Sequence, residues 1–342
     1  MSHDLLIENG EASMFYVGTV PWHGLGTQLE VPPRTTAEAI KAAHLDWDVG
    51  LKPVYAWDGG QPVRVDDRNA VVRLDKWNMP EAVVFGVVGP DYTVLQNREA
   101  FHFFDPILET GEVSCHTAGA IDGGRRVWVL GKIEGNIMLG DADEIERYLL
   151  LSTGHDGRTA VQIRFTPVRV VCQNTLNAAL KKGSDLFRLT HTPPLPSRLK
   201  AAQAAVHEII STYAALEKTF HAMVARKLTA SEHVGYLGAV FPDPKRNAQE
   251  RDQTYASRVR TMQTRRQLAL DLARTGPGGR LRTAQDTVWG AYNGVTCLVD
   301  HHWPYRNVCH RFESACFGDG EGVKLHALLA AAQLTGVSVG CN

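Results

Sequence analysis

The chain has 342 residues, 44% hydrophobic and 21% charged, with a net charge of −1; this is globular composition, not that of a disordered or collagen-like chain. The length suits one large domain or two modest ones, and no apolar run is long enough to span a bilayer. Six cysteines are too sparse for a disulfide scaffold.

The opening "MSHDLLIENGEASMFYV" carries acids where a secretory leader carries bases, so a cytoplasmic protein is expected. The small net charge hides an asymmetry: residues 1–160 hold 24 Asp and Glu against 13 Lys and Arg, and residues 161–342 hold 13 against 23. A basic second half suits a polyanionic partner, and equally suits head-to-tail self-association with the acidic half.

In chain order, "TTAEAIKAAHLDW" predicts a helix capped by Thr35 or Thr36, with Glu38 near its third position. "AVVRLD" and "AVVFGVVG" read as strands, the second ending at Gly89-Pro90. "NREAFHFFDPILETG" predicts one amphipathic helix with Phe101, Phe104 and Leu108 on its buried stripe. "CHTAGAIDGGRRVWVLGKI" predicts a hairpin turning at Asp122-Gly123-Gly124. Strands are then predicted at 146–153, 159–165 and 168–172, followed by a helix over 174–181 that Asn174 or Thr175 could cap. From residue 196 the periodicity is helical, with helices near 196–227, 229–241, 247–274, 283–301 and 321–335, broken by "FPDPKRN" and "RTGPGGR". The fold class is therefore α+β: a β-rich portion with antiparallel hairpins and a β-β-β-α unit, then a mainly helical portion. The expected domains are residues 1–190, built on a sheet with a central basic hairpin, and 191–342.

"STGHDGRTAVQIRFTPVRVVCQNTLNAALKK" (152–182) concentrates the polar chemistry. In a strand, Gln162, Arg164 and Thr166 share one face and Val161, Ile163 and Phe165 the other. With Arg158 in the turn and Arg169 beyond Pro167, that face offers guanidinium forks for phosphate, while Gln173 and Asn174 offer amides for base or backbone bonds. A solvated polar sheet face is the competing reading. Arg125, Arg126 and Lys132 add a second basic hairpin. Arg251, Arg258 and Arg265, seven apart, line one helix face that could track a phosphate backbone.

For catalysis, His155 and Asp156 could form a general-base pair and Cys172 a nucleophile. A histidine in a Gly-flanked turn is more often a surface contact, and a cysteine between Val171 and Gln173 more often core. Cys297, His301, Cys309 and His310 raise a zinc site, but "CLVDHHWPYRNVCHRFESAC" contains no C-x-x-C pair, which favours packed thiols. No cofactor motif is present, and no cofactor is expected.

"WHGLGT", "TAGAIDGGRRVWVLGKI", "HDGRTAVQIRFTPVRVVCQNTLNAAL" and "WGAYNGVTCLVDHH…RFESACFGDGEGVKLHAL" together resemble the phage/plasmid-like proteins grouped as domain-of-unknown-function family 932. The resemblance runs from about Trp22 to Leu328 and implies a mobile genetic element as source and a bacterial host, but no reaction. The hairpin, strand and basic helix are also similar in topology to single-strand annealing proteins of the Rad-fifty-two kind, an analogy of fold. The expected function is single-stranded DNA binding or annealing in replication or recombination, by a homo-oligomer without membrane attachment. Two alternatives stand beside it: a protein-interaction factor acting on a host component, and a nucleic-acid-modifying hydrolase using His155 and Asp156.

Overall fold

The computed structural model describes residues 5–18, 24–80, 82–169, 174–175, 187–210, 213–304, 314 and 318–337, without the side chains of 169, 174–175, 206–210 and 213–215. The fold is α+β, a β-rich part preceding a mainly helical one, as the patterning predicts.

Strands β1 (Ile7–Glu8), β2 (Glu11–Ala12), β3 (Met14–Val17) and β4 (Thr27–Leu29) lead to helix α1 (Thr36–Ala42). Next come β5 (Val49–Asp58), β6 (Gln61–Arg73), β7 (Val84–Val88) and the short helices α2 (Asn97–Phe101) and α3 (Asp105–Glu109). The remaining described strands are β8 (Val113–Ile121), β9 (Arg126–Leu139), β10 (Asp143–Gly154), β11 (Val161–Phe165), β12 (Val168–Arg169), β13 (Asn174–Thr175) and β14 (Phe187–Leu189). The later helices are α4 (Leu195–Ile210), α5 (Tyr213–Ala225), α6 (Ala230–Val240), α7 (Asp252–Thr275), α8 (Val288–Cys297) and α9 (Asp319–Thr335). Contacts divide the chain into two units: residues 1–134, 148–164 and 185–210, and residues 135–147, 165–184 and 211–342.

In the first unit the main sheet runs β4–β3–β8–β9–β10, with β11 on β10 and β14 on β11. The β8–β9 hairpin forms where predicted, Ile121 opposite Arg126. Its turn holds Asp122, Gly123 and Gly124 at φ 53°, 63° and 88°, a run of left-handed backbone that the two glycines permit. Thr35 caps α1 by accepting from the Glu38 N–H at 3.2 Å.

The single helix expected over 97–111 is instead α2, a 3₁₀ turn at His102–Phe104, and α3. Pro106, at the start of α3, has no N–H to continue the ladder. Phe101 and Phe104 are buried as expected, and Phe103 and Ile107 join them, while Leu108 is half-buried.

A second sheet in this unit orders β5–β6–β7. β5 and β6 pair from Val49 opposite Arg73 to Asp58 opposite Gln61. Gly59 and Gly60 join them at φ 54° and 84°, the signature of a two-residue type I′ turn.

In the second unit β12 pairs with β10 and with β13, Arg169 standing opposite Asn174. Asn174 and Thr175 are thus strand residues, where the predicted helix was to begin. Residues 176–181 of the predicted helix lie outside the described residues. Helices α5 and α4 cover the segment predicted as 196–227, residues 211–212 lying outside the description.

Every residue of α8 is buried. Trp289 lies 4.9 Å from the Phe220 ring and 6.1 Å from Tyr292. Helix α8 starts at Val288, later than predicted, because Thr287 caps it by accepting from the Gly290 N–H at 3.0 Å. Buried Asp143 accepts from Thr283 Oγ1 at 2.6 Å and Trp289 Nε1 at 2.9 Å.

A π turn, Leu298–His302, extends α8. Asp300 within it pairs at 2.8 Å with Lys324, which is 1% exposed. The pair gives the Asp300 carboxylate an internal partner. A Cβ on Gly294 would lie 2.3 Å from the Ala269 carbonyl oxygen, so α7 and α8 approach through a glycine.

Gly294→Ala should therefore push these helices apart and cost about 1–3 kcal/mol, read as a lower urea midpoint with unchanged slope. Gly238→Ala on α6, where a Cβ would meet nothing within 4 Å, should leave stability equal or raise it by up to about 1 kcal/mol.

Candidate functional site

The Gly154–Gly157 turn gathers the polar side chains of the first unit. His155 is 0% exposed, so it is not the surface contact expected of a histidine between glycines. Its ring lies 5.5 Å from both Trp47 and Phe85. Asn97 donates to the carbonyls of Leu45 and Trp47 at 3.0 and 3.4 Å, which turns its Oδ1 toward His155 Nε2 at 2.9 Å. His155 Nε2 must therefore carry the proton. Nδ1 keeps a buried lone pair with no hydrogen-bond partner among the described residues. Burial first, and the neighbouring His191 second, push the His155 pKa down from 6.5 to about 3, so the ring is neutral.

Asp156 serves the same turn. Its Oδ1 accepts from the Arg158 and Thr159 N–H groups at 2.9 and 2.8 Å, and Oδ2 from the Thr159 hydroxyl at 3.0 Å. Burial works to raise its pKa, but these bonds and nearby Arg126 outweigh it and hold the carboxyl below its usual range. A Cβ on Gly86 would sit 2.4 Å from the Asp156 carbonyl oxygen; the turn is pressed against β7.

Beside it, His191 Nδ1 donates to the Thr93 carbonyl at 3.1 Å, leaving Nε2 to accept from Thr153 Oγ1 at 3.1 Å. Tyr92 stacks on that imidazole at 5.0 Å. His155 and Asp156 each have separate partners, Asn97 and the turn amides, so the geometry gives both a structural task. Asn97, His191 and Tyr92 carry no sequence signal of this role, because they reach the turn from distant segments.

A cleft of about 480 Å³ adjoins the turn, lined by Phe85, Gly86, Val87, Asp122, Arg125, Asp156 and Arg158. Two of the predicted cations, Arg125 and Arg158, therefore share one concavity. Arg125 Nε donates to the Phe85 carbonyl at 3.1 Å and its Nη1 to Asp122 at 3.3 Å. Arg158 is exposed. Arg126 reaches Thr159 Oγ1 at 3.4 Å, Lys132 is half-buried, and Arg164 is 4% exposed. All of β11 is buried, Gln162 included, so the open polar strand face read from the alternation is absent. The side chains of Arg169 and Asn174, and all of Cys172 and Gln173, lie outside the described residues.

In the second unit lie the other predicted cations, Arg251 just before α7 and Arg258 and Arg265 on it. Arg258 is bound by Glu250 at 2.8 and 2.9 Å, Arg266 by Asp243 and the Phe241 carbonyl, and Arg246 by Asp252. Arg251 and Arg260 are exposed. The Arg265 guanidinium lies 4.1 Å from the centre of the Trp303 ring, a cation–π contact, and burial lowers its pKa, though a guanidinium remains charged.

A groove of about 410 Å³ runs along this face, lined by Ser257, Arg260, Thr261, Thr264, Arg265, Leu268, Leu298, His302, Trp303 and Pro304. Among the described residues no carboxylate lines it. Arg260 and Trp303, the residues that sequence spacing missed, join Arg265 there in place of Arg258. Among the described residues no cluster of three or more His, Cys, Asp or Glu could hold a metal ion. Cys297 is buried, and Cys309 and His310 lie outside the described residues. Among those residues, too, no helix is long and apolar enough to cross a membrane.

The buried neutral His155 ties stability to pH. Its folded pKa lies below the unfolded value, so the unfolded chain binds the extra proton between pH 6.5 and about 3. Stability is thus fully present above 6.5 and falls with acidification, the slope from this group approaching about 1.4 kcal/mol per pH unit. His155→Leu should lose about 1–3 kcal/mol at pH 7 by orphaning Asn97, and its pH profile from unfolding curves should be flatter than wild type below 6.5.

No curated protein and no solved structure matches this chain. Residues 84–316, most of the 342, match the family model described as a domain of unknown function (DUF932), and the chain belongs to that family.

Proposed function

We propose that the chain binds single-stranded nucleic acid, with the α7 groove receiving the phosphate backbone. The observation that supports this reading is the lining itself. Two guanidiniums, three hydroxyls, an imidazole and an indole share one groove, with no acidic residue among the described residues that line it. Arginine and hydroxyl donors suit phosphate oxygens, and an aromatic ring beside cations suits stacked bases. Arg125 and Arg158, in the cleft of the first unit, offer a further phosphate contact. Action in the replication or recombination of a phage or plasmid belongs to the same proposal and rests on the sequence motifs quoted above. A hydrolase using His155 and Asp156 is disfavoured by the burial of His155 and by the turn bonds that occupy Asp156.

The test is a mobility-shift titration with unstructured single strands at several salt concentrations. Arg260→Ala with Arg265→Ala should weaken binding by about tenfold or more and flatten the salt slope by about 1.4, two phosphate contacts at roughly 0.7 each. Arg258→Ala, whose guanidinium is already held by Glu250, should bind within about twofold of wild type. Equal losses in both variants, or none, would remove the groove from the account.

A further inference from the structure

We propose that the β5–β6 ribbon is an arm that docks into a socket on a second copy of this chain, the socket being the cleft between α4 and the α2 segment. The ribbon continues past a bulge between Pro53 and Val54, and beyond it every residue is exposed or half-buried. Trp57 is 75% exposed and Tyr55 53%. Cross-strand pairing sets Tyr55 opposite Arg64 and Trp57 opposite Pro62, and paired residues share a face. The other face carries Val54, Ala56, Val63 and Val65 by the same register. A two-stranded ribbon apolar on both faces is marginal alone in water, and contiguous exposed apolar surface marks an interaction site.

The charges on the ribbon decide what covers it. Lys52, Arg64 and Arg68 are matched by Asp58, Asp66 and Asp67, so nothing there attracts a polyanion or an anionic bilayer. The same unit holds an apolar cavity of about 380 Å³, floored by Leu95, Phe103, Leu195 and Leu199, with Glu99 and Lys200 on its rim. Gln203 fixes one wall of the cavity by donating to the His102 and Phe103 carbonyls at 3.0 and 3.2 Å. The cavity accepts one large ring, and its rim complements the tip: Asp58 next to Trp57 meets Lys200, and Arg64 opposite Tyr55 meets Glu99. Arg64 has an exposed neighbour, Asp66, at 3.5 Å, a contact easily exchanged. Covering Tyr55 and Trp57 removes roughly 300 Å² from water, against roughly 800 Å² per partner in a stable interface; the valines and Pro62 add to it. Arm and socket are different patches, so each copy gives one arm and receives one.

Sedimentation velocity of nuclease-treated protein over a micromolar range tests this. Wild type should sediment as a multimer, and Trp57→Ser should raise the dissociation constant about tenfold or more, as expected for a central aromatic anchor. Lys200→Glu should weaken assembly, and Asp58→Lys combined with Lys200→Glu should restore it. All three positions are exposed, so the variants keep the fold, which circular dichroism verifies. A monomeric wild type, or a Trp57→Ser variant that assembles like wild type, overturns the arm. Loss with Trp57→Ser but no effect of Lys200→Glu, or no restoration by the charge swap, overturns the socket.

Discussion

The α7 groove depends on one buried ion pair. Taking the Asp300 carboxylate and the Lys324 ammonium out of water costs several kcal/mol per ion, roughly what their attraction returns. The pair therefore adds little net stability. What it fixes is position: a carboxylate in the π turn is held by a lysine of α9, and that turn delivers His302 and Trp303 to the face of α7. Gly294 sets the distance, since a larger residue would strike the Ala269 carbonyl. An indole so placed can bear against Arg265, which is the geometry on which the binding proposal rests.

The first unit fixes its turn with hydrogen bonds and ring packing. The Gly154–Gly157 turn is locked by an aspartate bonded to its own backbone and a neutral histidine wedged between two aromatic rings. Arg73, balanced by Glu8 and Asp75, lies 4.9 Å over the far partner, Trp47. His155 Nε2 and Asn97 are thus satisfied as a pair across distant segments, the usual condition for burying polar groups. The consequence is a rigid wall for the cleft that Arg125 and Arg158 line.

Local chemistry made much of this fold readable in advance. Asp122-Gly123-Gly124 announced its hairpin, Thr35 its helix, and the switch to helical periodicity after residue 190 the α+β class. Where the reading failed, a contact outside the local pattern intervened. Alternation in "VQIRF" says which residues share a face but not that both faces are covered, so Arg164 looked exposed. Spacing of seven put Arg251, Arg258 and Arg265 in line, but Glu250 and Asp243 of the segment before α7 neutralise Arg258 and Arg266. Asn174 reads as the start of a helix, and it pairs in a strand with Arg169. The ribbon tip was missed because exposure of Tyr55 and Trp57 is a tertiary fact; their sequence reads like any strand.

The type I′ turn at Gly59 and Gly60 has a bearing on how this protein can diverge. Because it fixes register, and side chains alternate sides with period two, lengthening each strand by one residue would turn the tip over. Growth by two residues per strand, about 7 Å, would preserve its orientation. Homologues that keep the same contact should then differ in hairpin length by multiples of four.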